Sequence, residues 1–288
     1  MSCSKAAVRS NRQVSPDFYL LEAEWPSLDD APGSDGIPAI RAGQFCMLRS
    51  WDSIPVLSRP ISVFDADGNR VSFLYKTVGR GTAIFSRLKP GDSITIQGPL
   101  GNGFPMELCS TASGRVAMVG GGAGIAPLYL GAKQYKAAGC TVDLYLGFSG
   151  AAYNEVSRAT CNEVSRAAFL TEEYRDRADS ITVNVGGFIT DAVDPVGYDA
   201  IFTCGPEVMM KALWEKCKAA GAGDKLFVSL EARMACGVGA CYGCSRKTAS
   251  AFRENGAFKE NGAFRENGGN KKVCKDGPVF PAQEVFGL

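Results

Sequence analysis

From Val14 to about Glu107, short apolar runs alternate with turn residues. GQFCMLRS, ISVFDADGNRVSFLYKTV and DSITIQG are β-prone and are broken by Gly, Asp, Asn and Pro, the pattern of short strands joined by turns. DADGN separates Ile61–Phe64 from Val71–Lys76 and predicts a hairpin. Strands at this spacing predict a small antiparallel barrel. At Arg115 the pattern changes. RVAMVGGGAGIAPLYLGAKQYKAAGCTVDLYLGFSG reads as an apolar strand, a glycine turn, a helix and a second apolar strand, which is a βαβ unit. Further strands are predicted at Ile181–Val185 and Ala200–Thr203, and CGPEVMMKALWEKCKAAG predicts a turn and an amphipathic helix. From Phe227 onward the chain is short and loop-rich. The expected fold is multi-domain β plus α/β: an antiparallel barrel over 1–110, a parallel α/β sheet over 111–226 and a small C-terminal unit over 227–288.

Two repeats interrupt this pattern. AFRENG, AFKENG and AFRENG follow one another over 251–268, and NEVSRA occurs at 154–159 and again at 162–167. Both are far shorter than the 20 to 50 residues of a solenoid repeat. Each hexad carries Asn-Gly, a turn signal, so the hexads read as an exposed insertion from local duplication.

Composition narrows the chemistry. The 288 residues are 45% hydrophobic and 21% charged, with a formal net charge of +1. Nothing here argues for a nucleic-acid or membrane-surface partner. No apolar run reaches the length of a membrane span, and the N-terminus lacks the apolar core of a secretory signal, so a cytoplasmic location is expected. Histidine is absent. That excludes Ser-His-Asp and Cys-His catalytic arrangements and a His-liganded zinc. An enzyme built this way needs a cofactor for its hard chemistry.

Eleven cysteines are present. Cys3, Cys46, Cys109, Cys140, Cys161, Cys204 and Cys217 are scattered and read as single buried thiols. The other four, Cys236, Cys241, Cys244 and Cys274, follow C-x4-C-x2-C-x29-C. Zinc sites present two tightly spaced pairs. This spacing is instead that of a plant-type [2Fe–2S] cluster. Ala235, Gly237, Gly239, Ala240 and Gly243 let the loop wrap closely and aim backbone N–H groups at the sulfurs. Structural zinc and incidental thiols remain the alternatives.

Three further segments carry candidate chemistry. SRPISVF holds Arg59, Pro60, Ile61 and Ser62, and YKTVGRGT places Gly79, Gly81 and Thr82 before a predicted helix. A helix N-terminus preceded by glycines can hold a phosphate, and Arg59 can add a charge-assisted bond. The other reading is ordinary barrel turns. VGGGAGIAPL places Gly120, Gly121, Gly122 and Gly124 between an apolar strand and a helix, and TCGPEVM follows a later strand. In open α/β sheets ligands bind at the carboxyl ends of strands. The other reading is a pair of structural strand-to-helix turns.

The order of these motifs resembles the ferredoxin-NADP reductase superfamily, and more closely the electron-transfer subunits of NAD-dependent (class B) dihydroorotate dehydrogenases. LSRPISV, GGGAGIAPL, CGPEVMMKAL, LEARMACGVGAC and VCKDGPVF carry the resemblance, which covers about residues 10 to 285. It implies that Arg59, Pro60, Ile61 and Ser62 contact FAD. It implies that Leu74, Tyr75 and Lys76 line the flavin and that Gly81 and Thr82 hold its pyrophosphate. Gly121, Gly122 and Gly124 with Cys204, Gly205 and Pro206 would form the NAD(H) site, and Cys236, Cys241, Cys244 and Cys274 would ligate the [2Fe–2S] cluster. The family's subunit pairs, as a heterotetramer, with an FMN-containing catalytic subunit that oxidises dihydroorotate in pyrimidine biosynthesis. The electrons reach NAD+ through the cluster and FAD. The resemblance implies no catalytic base within the chain.

Two features depart from the family pattern. The 29-residue gap before Cys274 shortens to 11 without the 18 residues of the hexads, so these look inserted into that connection. The doubled NEVSRA follows the second strand of the βαβ unit, where Arg158 or Arg166 would favour a 2′-phosphate and hence NADP. Two alternatives stand beside this reading. One is a subunit of another flavin and iron–sulfur NAD(P)H oxidoreductase, acting on ferredoxin or sulfide. The other is a zinc-stabilised binding module.

Overall fold

The computed structural model describes residues 2–26, 40–109, 114–149, 168–248 and 270–287. The first six strands are β1 (Ser2–Ser15), β2 (Phe18–Glu24), β3 (Phe45–Arg49), β4 (Arg59–Asp67), β5 (Arg70–Lys76) and β6 (Ser93–Leu100). They close into a barrel in the order β1-β2-β5-β4-β3-β6. Closure follows from the alternation in the sequence. Val71, Phe73 and Tyr75 are almost wholly buried, and each faces a partner across an antiparallel ladder with β2. The β4–β5 hairpin turns where DADGN predicts, with Gly68 at φ +55°, a conformation glycine adopts without penalty. A short helix, α1 (Arg80–Phe85), crosses between β5 and β6.

The second unit is a six-stranded sheet in the order β14-β11-β10-β7-β8-β9. Its parallel strands are β7 (Arg115–Gly121), β8 (Thr141–Phe148), β9 (Ser180–Val185), β10 (Ala200–Cys204) and β11 (Leu226–Ser229). Helix α2 (Ala126–Ala137) links β7 to β8, α3 (Thr171–Arg175) precedes β9, and α4 (Glu207–Ala219) follows β10. The apolar runs of β7 and β10 suit strands covered on both faces, whereas β9, at the edge of the sheet, has no fully buried residue.

The C-terminal part is less separate than the pattern suggests. The boundary expected at 227 falls inside β11, which completes the parallel sheet, and β14 (Val279–Pro281) then pairs antiparallel with β11. What stands apart is the cysteine loop and a small hairpin, β12 (Ser245–Lys247) with β13 (Asn270–Lys272). A last helix, α5 (Ala282–Phe286), closes the chain. The hexads and both NEVSRA copies, with Arg158 and Arg166, lie outside the described residues.

Two buried clusters bind these parts. One runs from the barrel interior into the α2 side of the sheet, through Phe64, Tyr129 and Tyr174. Phe64 stacks on Tyr129 at 4.3 Å between centroids, and the Tyr174 hydroxyl donates to the Ile125 carbonyl at 2.6 Å. The other joins the barrel's outer wall (Phe45, Met47, Leu100) to Cys244, Val273 and Cys274 and to the α4 side of the sheet. Among the scattered cysteines, Cys46, Cys204 and Cys217 are free and buried, while Cys3 is exposed. Cys140 departs from the expectation of a single thiol and is disulfide-bonded. Among the described residues, no helix is long and apolar enough to cross a membrane.

Candidate functional site

The four motif cysteines gather into two pairs. The Cys241 backbone N–H donates to Cys236 Sγ at 3.4 Å, and the Cys274 N–H donates to Cys244 Sγ at 3.5 Å. Gly237 and Gly239, at φ +71° and +81°, turn the loop between Cys236 and Cys241. Burial opposes ionisation of Cys236. The N–H groups of Cys241, Val238 and Ala240 and the Cys241 thiol outweigh it and hold the Cys236 thiol below its ordinary range. Burial and the neighbouring Cys244 push Cys274 the other way, and the charge of Cys236 reaches it as well. Among the described residues, no three Cys, Asp or Glu side chains surround one point as a single ion needs. Two neighbouring thiol pairs with N–H groups on the sulfurs fit a two-iron cluster.

Arg59 and the turn before α1, some twenty residues apart in sequence, meet in space. A Cβ at Gly81 would lie 2.6 Å from Arg59 Nε, so the guanidinium crosses the first turn of α1 in direct contact with it and would have to shift for any larger residue. Arg59 also donates to the Leu57 carbonyl, and its guanidinium carbon lies 5.4 Å from the Trp51 ring centroid. Thr82 is buried and its hydroxyl is already engaged. It accepts from the N–H of Val78 at 2.9 Å and of Gly79 at 3.2 Å, and donates to the Gly79 carbonyl at 3.0 Å. Thr82 therefore shapes the turn rather than offering a free hydroxyl. A Cβ at Gly79 would meet nothing within 4 Å, so the backbone there faces open space. That is a fitting approach for a phosphate beside a guanidinium and the N–H groups of a first helical turn.

Strand β4 presents its motif on two faces. Ile61 pairs with Cys46 and points into the barrel, whereas Pro60 pairs with Met47 and Ser62 with Phe45 on the outer wall. Strand β5 places the side chains of Leu74, Tyr75 and Lys76 differently. Tyr75 is 1% exposed, stacked against Tyr19, edge-on to Phe85, and hydrogen-bonded through its hydroxyl to Asn11 Oδ1 at 3.1 Å. Its side chain belongs to the barrel core. Leu74 is also buried, and only Lys76 is exposed, its ammonium 5.6 Å from the Phe18 centroid.

The two glycine motifs of the sheet form one surface, because β7 and β10 are neighbours. A Cβ at Gly124 would lie 2.2 Å from the Cys204 carbonyl oxygen, and one at Gly121 would lie 2.8 Å from Met209 Sδ and 3.0 Å from Pro206 Cδ. Gly205, at φ +146°, packs in turn against the Gly121 backbone. Gly122, at φ +56°, has nothing within 4 Å of where its Cβ would be. The glycines thus bring the two turns into contact and leave one stretch of backbone open to a ligand. Cys204 beneath them is 2% exposed, and burial, with a further push from the nearby Glu231 carboxylate, raises its thiol to about 12.

Several residues of this region escape sequence reasoning. Phe188 and Val208 are 78% and 79% exposed at the same carboxyl edge of the sheet. Tyr242, within the cysteine loop, has a left-handed backbone (φ +57°), and the Lys272 ammonium lies 4.6 Å from its ring centroid. Nothing in a linear pattern signals such pairings. A separate groove of about 480 Å³, lined by Lys5, Glu24, Asn69 and Asp92, holds none of the candidate residues.

Comparison with known proteins agrees with this geometry. Residues 231–256 match the family described as the iron–sulfur cluster binding domain of dihydroorotate dehydrogenase B. A protein of Clostridium acetobutylicum named dihydroorotate dehydrogenase B (NAD(+)), electron transfer subunit, is 39% identical over 247 residues, which is 86% of this chain and 87% of that protein. Its namesake from Clostridium perfringens is 38% identical over 99% of this chain and 98% of its own length. Among solved structures, the NADH-dependent reduced ferredoxin-NADP oxidoreductase superposes with a TM-score of 0.72 at 26% identity, covering 97% of this chain and 89% of that one. The ferredoxin reductase of carbazole 1,9a-dioxygenase shares the fold at a TM-score of 0.57 and 20% identity, over 79% of this chain and 68% of its own. With the paired thiols, the joined glycine turns and near-full-length identity in agreement, the chain belongs to the electron transfer subunit family of dihydroorotate dehydrogenase B.

Proposed function

We propose that this chain moves electrons between NAD+/NADH and a separate FMN-containing dihydroorotate dehydrogenase subunit, with which it forms a heterotetramer serving pyrimidine synthesis. The observation that carries the reading is the pairing of Cys236 with Cys241 and of Cys244 with Cys274 beside a barrel wall that bears the R-P-I-S strand. In this reading the four thiolates hold a [2Fe–2S] cluster. Arg59, Pro60, Ser62, Lys76, Gly81 and Thr82 hold FAD, and Gly121, Gly122, Gly124, Cys204, Gly205 and Pro206 receive the nicotinamide nucleotide. Flavin supplies both one- and two-electron exchange and the cluster supplies one-electron exchange, which together match a hydride carrier to a one-electron route.

The chain's own residues do the binding and the positioning. Arg59 supplies a fixed positive charge at the open Gly79 turn, and Thr82 keeps that turn in place through three hydrogen bonds. Gly124 keeps the two nucleotide turns in contact, since any side chain there would part them. Cys204, held protonated by burial, offers an uncharged wall beneath them. The N–H groups of Cys241 and Cys274 stabilise negative charge on sulfur. No residue here is assigned as a base toward dihydroorotate.

Structural likeness to the NADH-dependent ferredoxin-NADP oxidoreductase favours one other reading, a subunit of a different flavin and iron–sulfur complex. One experiment separates the two. The purified chain is assayed with NADH and an artificial dye, and then for orotate absorbance with dihydroorotate and NAD+, with and without the FMN-containing subunit. Dye reduction by the chain alone, and orotate only when the partner is added, are expected. Orotate formed by the lone chain, or none in the presence of the partner, overturns the proposal.

A further inference from the structure

Met47 sits at the seam between the cysteine loop and the R-P-I-S strand. It lies on β3 and is 2% exposed. Its neighbours Cys46 and Leu48 face the barrel interior, while Met47 itself joins the outer cluster that contains Cys244, Val273 and Cys274. Its cross-strand partner is Pro60, and directly opposite residues on a sheet point to the same face. On the other side lies the loop. A Cβ at Gly237, the residue after Cys236, would come within 2.8 Å of Met47 Cγ and 3.3 Å of Met47 Sδ, and within 3.1 Å of Leu100 Cδ1. The loop backbone therefore rests directly on the Met47 side chain. That side chain stands between the first ligand's corner and β3, the strand paired with the one that bears Pro60 and Ser62.

We propose that Met47 is a positioning residue that sets the spacing between the Cys236–Gly237 corner of the cluster loop and the flavin-contacting strand. The inference rests on the reading of these two segments as cluster and flavin sites. A flexible, unbranched thioether suits the role, because it fills an irregular gap without a fixed rotamer. Glycine at 237 is the matching half of the contact, at φ +71° and with no room for a side chain. Shortening Met47 lets the loop shift or leaves a void, and either change alters the path between the two groups.

The test uses the full chain carrying its FAD and cluster, as wild type and as Met47→Leu, Met47→Val and Met47→Ala. Iron, sulfide and FAD contents are measured first. The protein is then mixed with NADH, and the flavin absorbance and the electron paramagnetic resonance signal of the reduced cluster are followed separately. Each NADH leaves as NAD+ after passing a hydride, two electrons and a proton, to the flavin; with two electrons on the flavin and one on the cluster, full reduction of two chains uses three NADH. In Met47→Ala the arrival of electrons at the cluster slows roughly tenfold relative to the bleaching of the flavin, within the ~100-fold that a misplacement of about 1 Å can cost. Met47→Leu, of similar volume, stays close to wild type. Loss of iron from Met47→Ala with FAD retained supports the same role, because it shows the side chain holding the loop. Should the alanine chain fail to fold, Met47→Val carries the comparison. Cluster reduction as fast as wild type in a shortened variant with full iron and FAD overturns the role of Met47. Wild-type protein that binds neither flavin nor cluster overturns the functional reading instead.

Discussion

Cys204 shows how one residue's surroundings set its chemistry. It ends β10 beneath the joined turns, and its thiol, ordinarily near 9, is raised to about 12 first by burial and then by Glu231, against a hydrogen bond from Ser229. The folded state holds this proton more tightly than the unfolded chain does. The corresponding stability is present below pH 9 and is lost as pH rises from 9 toward 12. Native protein treated with iodoacetamide at pH 8 is expected to modify the exposed Cys3 and to leave Cys204 unmodified. Peptide mass mapping checks this, and rapid native labelling of Cys204 contradicts it. In the sequence this residue is one of seven scattered cysteines beside a C-G-P turn, and burial is what separates an inert thiol from a reactive one. The same holds for Tyr75: strand alternation marks its neighbours, but only the closed barrel shows that its ring points inward.

At the scale of elements, the β12–β13 hairpin explains why the cysteine loop can carry a long insertion. The ladder pairs Ser245 with Lys272, Arg246 with Lys271 and Lys247 with Asn270. Its base lies beside Cys244 and Cys274, with the Val273 N–H on the Cys244 carbonyl at 3.3 Å. The three hexads fall wholly between Lys247 and Asn270, at the far end of that ladder. Deleting 251–268 leaves Thr248, Ala249, Ser250 and Gly269 to join the strands, a length common in hairpins. Loop closure changes by only about 0.6 kcal/mol per doubling. The shortened chain is therefore expected to keep full iron, sulfide and FAD and to melt at the same temperature or a few degrees higher. Loss of the cluster on deletion is the contrary result, read by iron analysis and by visible absorbance. The C-x4-C-x2-C spacing and the repeat were legible in sequence. The hairpin that joins them was not, because three-residue strands carry no periodicity.

Across the whole molecule, two buried clusters tie the barrel, the sheet and the cysteine segment together. One passes through Phe64, Tyr129 and Tyr174, the other through Met47, Leu100 and Cys274. Polar ties cross the same seams. Lys133 pairs with Asp65 at 2.9 Å, Asn102 donates to the Val279 carbonyl at 2.7 Å, and Arg246 pairs with Glu207 at the start of α4. With so much shared core, the holoprotein is expected to unfold in one cooperative transition, with far-UV, flavin and cluster signals changing together. Two well-separated calorimetric transitions refute this. The sequence by itself determined the two fold classes, their order and most element positions, because apolar periodicity follows directly from burial on one face or two. It also marked the four-cysteine spacing and the glycine turns as candidate chemistry, because ligand spacing and missing side chains are local features, and left ordinary turns and zinc as the alternatives. Only the tertiary structure decided that β11 and β14 complete the α/β sheet, that Gly81 admits Arg59, and that Gly124 rests on Cys204. It alone brought the cysteine loop onto Met47, beside Pro60 of β4. Those contacts join residues far apart along the chain, and their geometry depends on how whole elements pack, which no local pattern encodes.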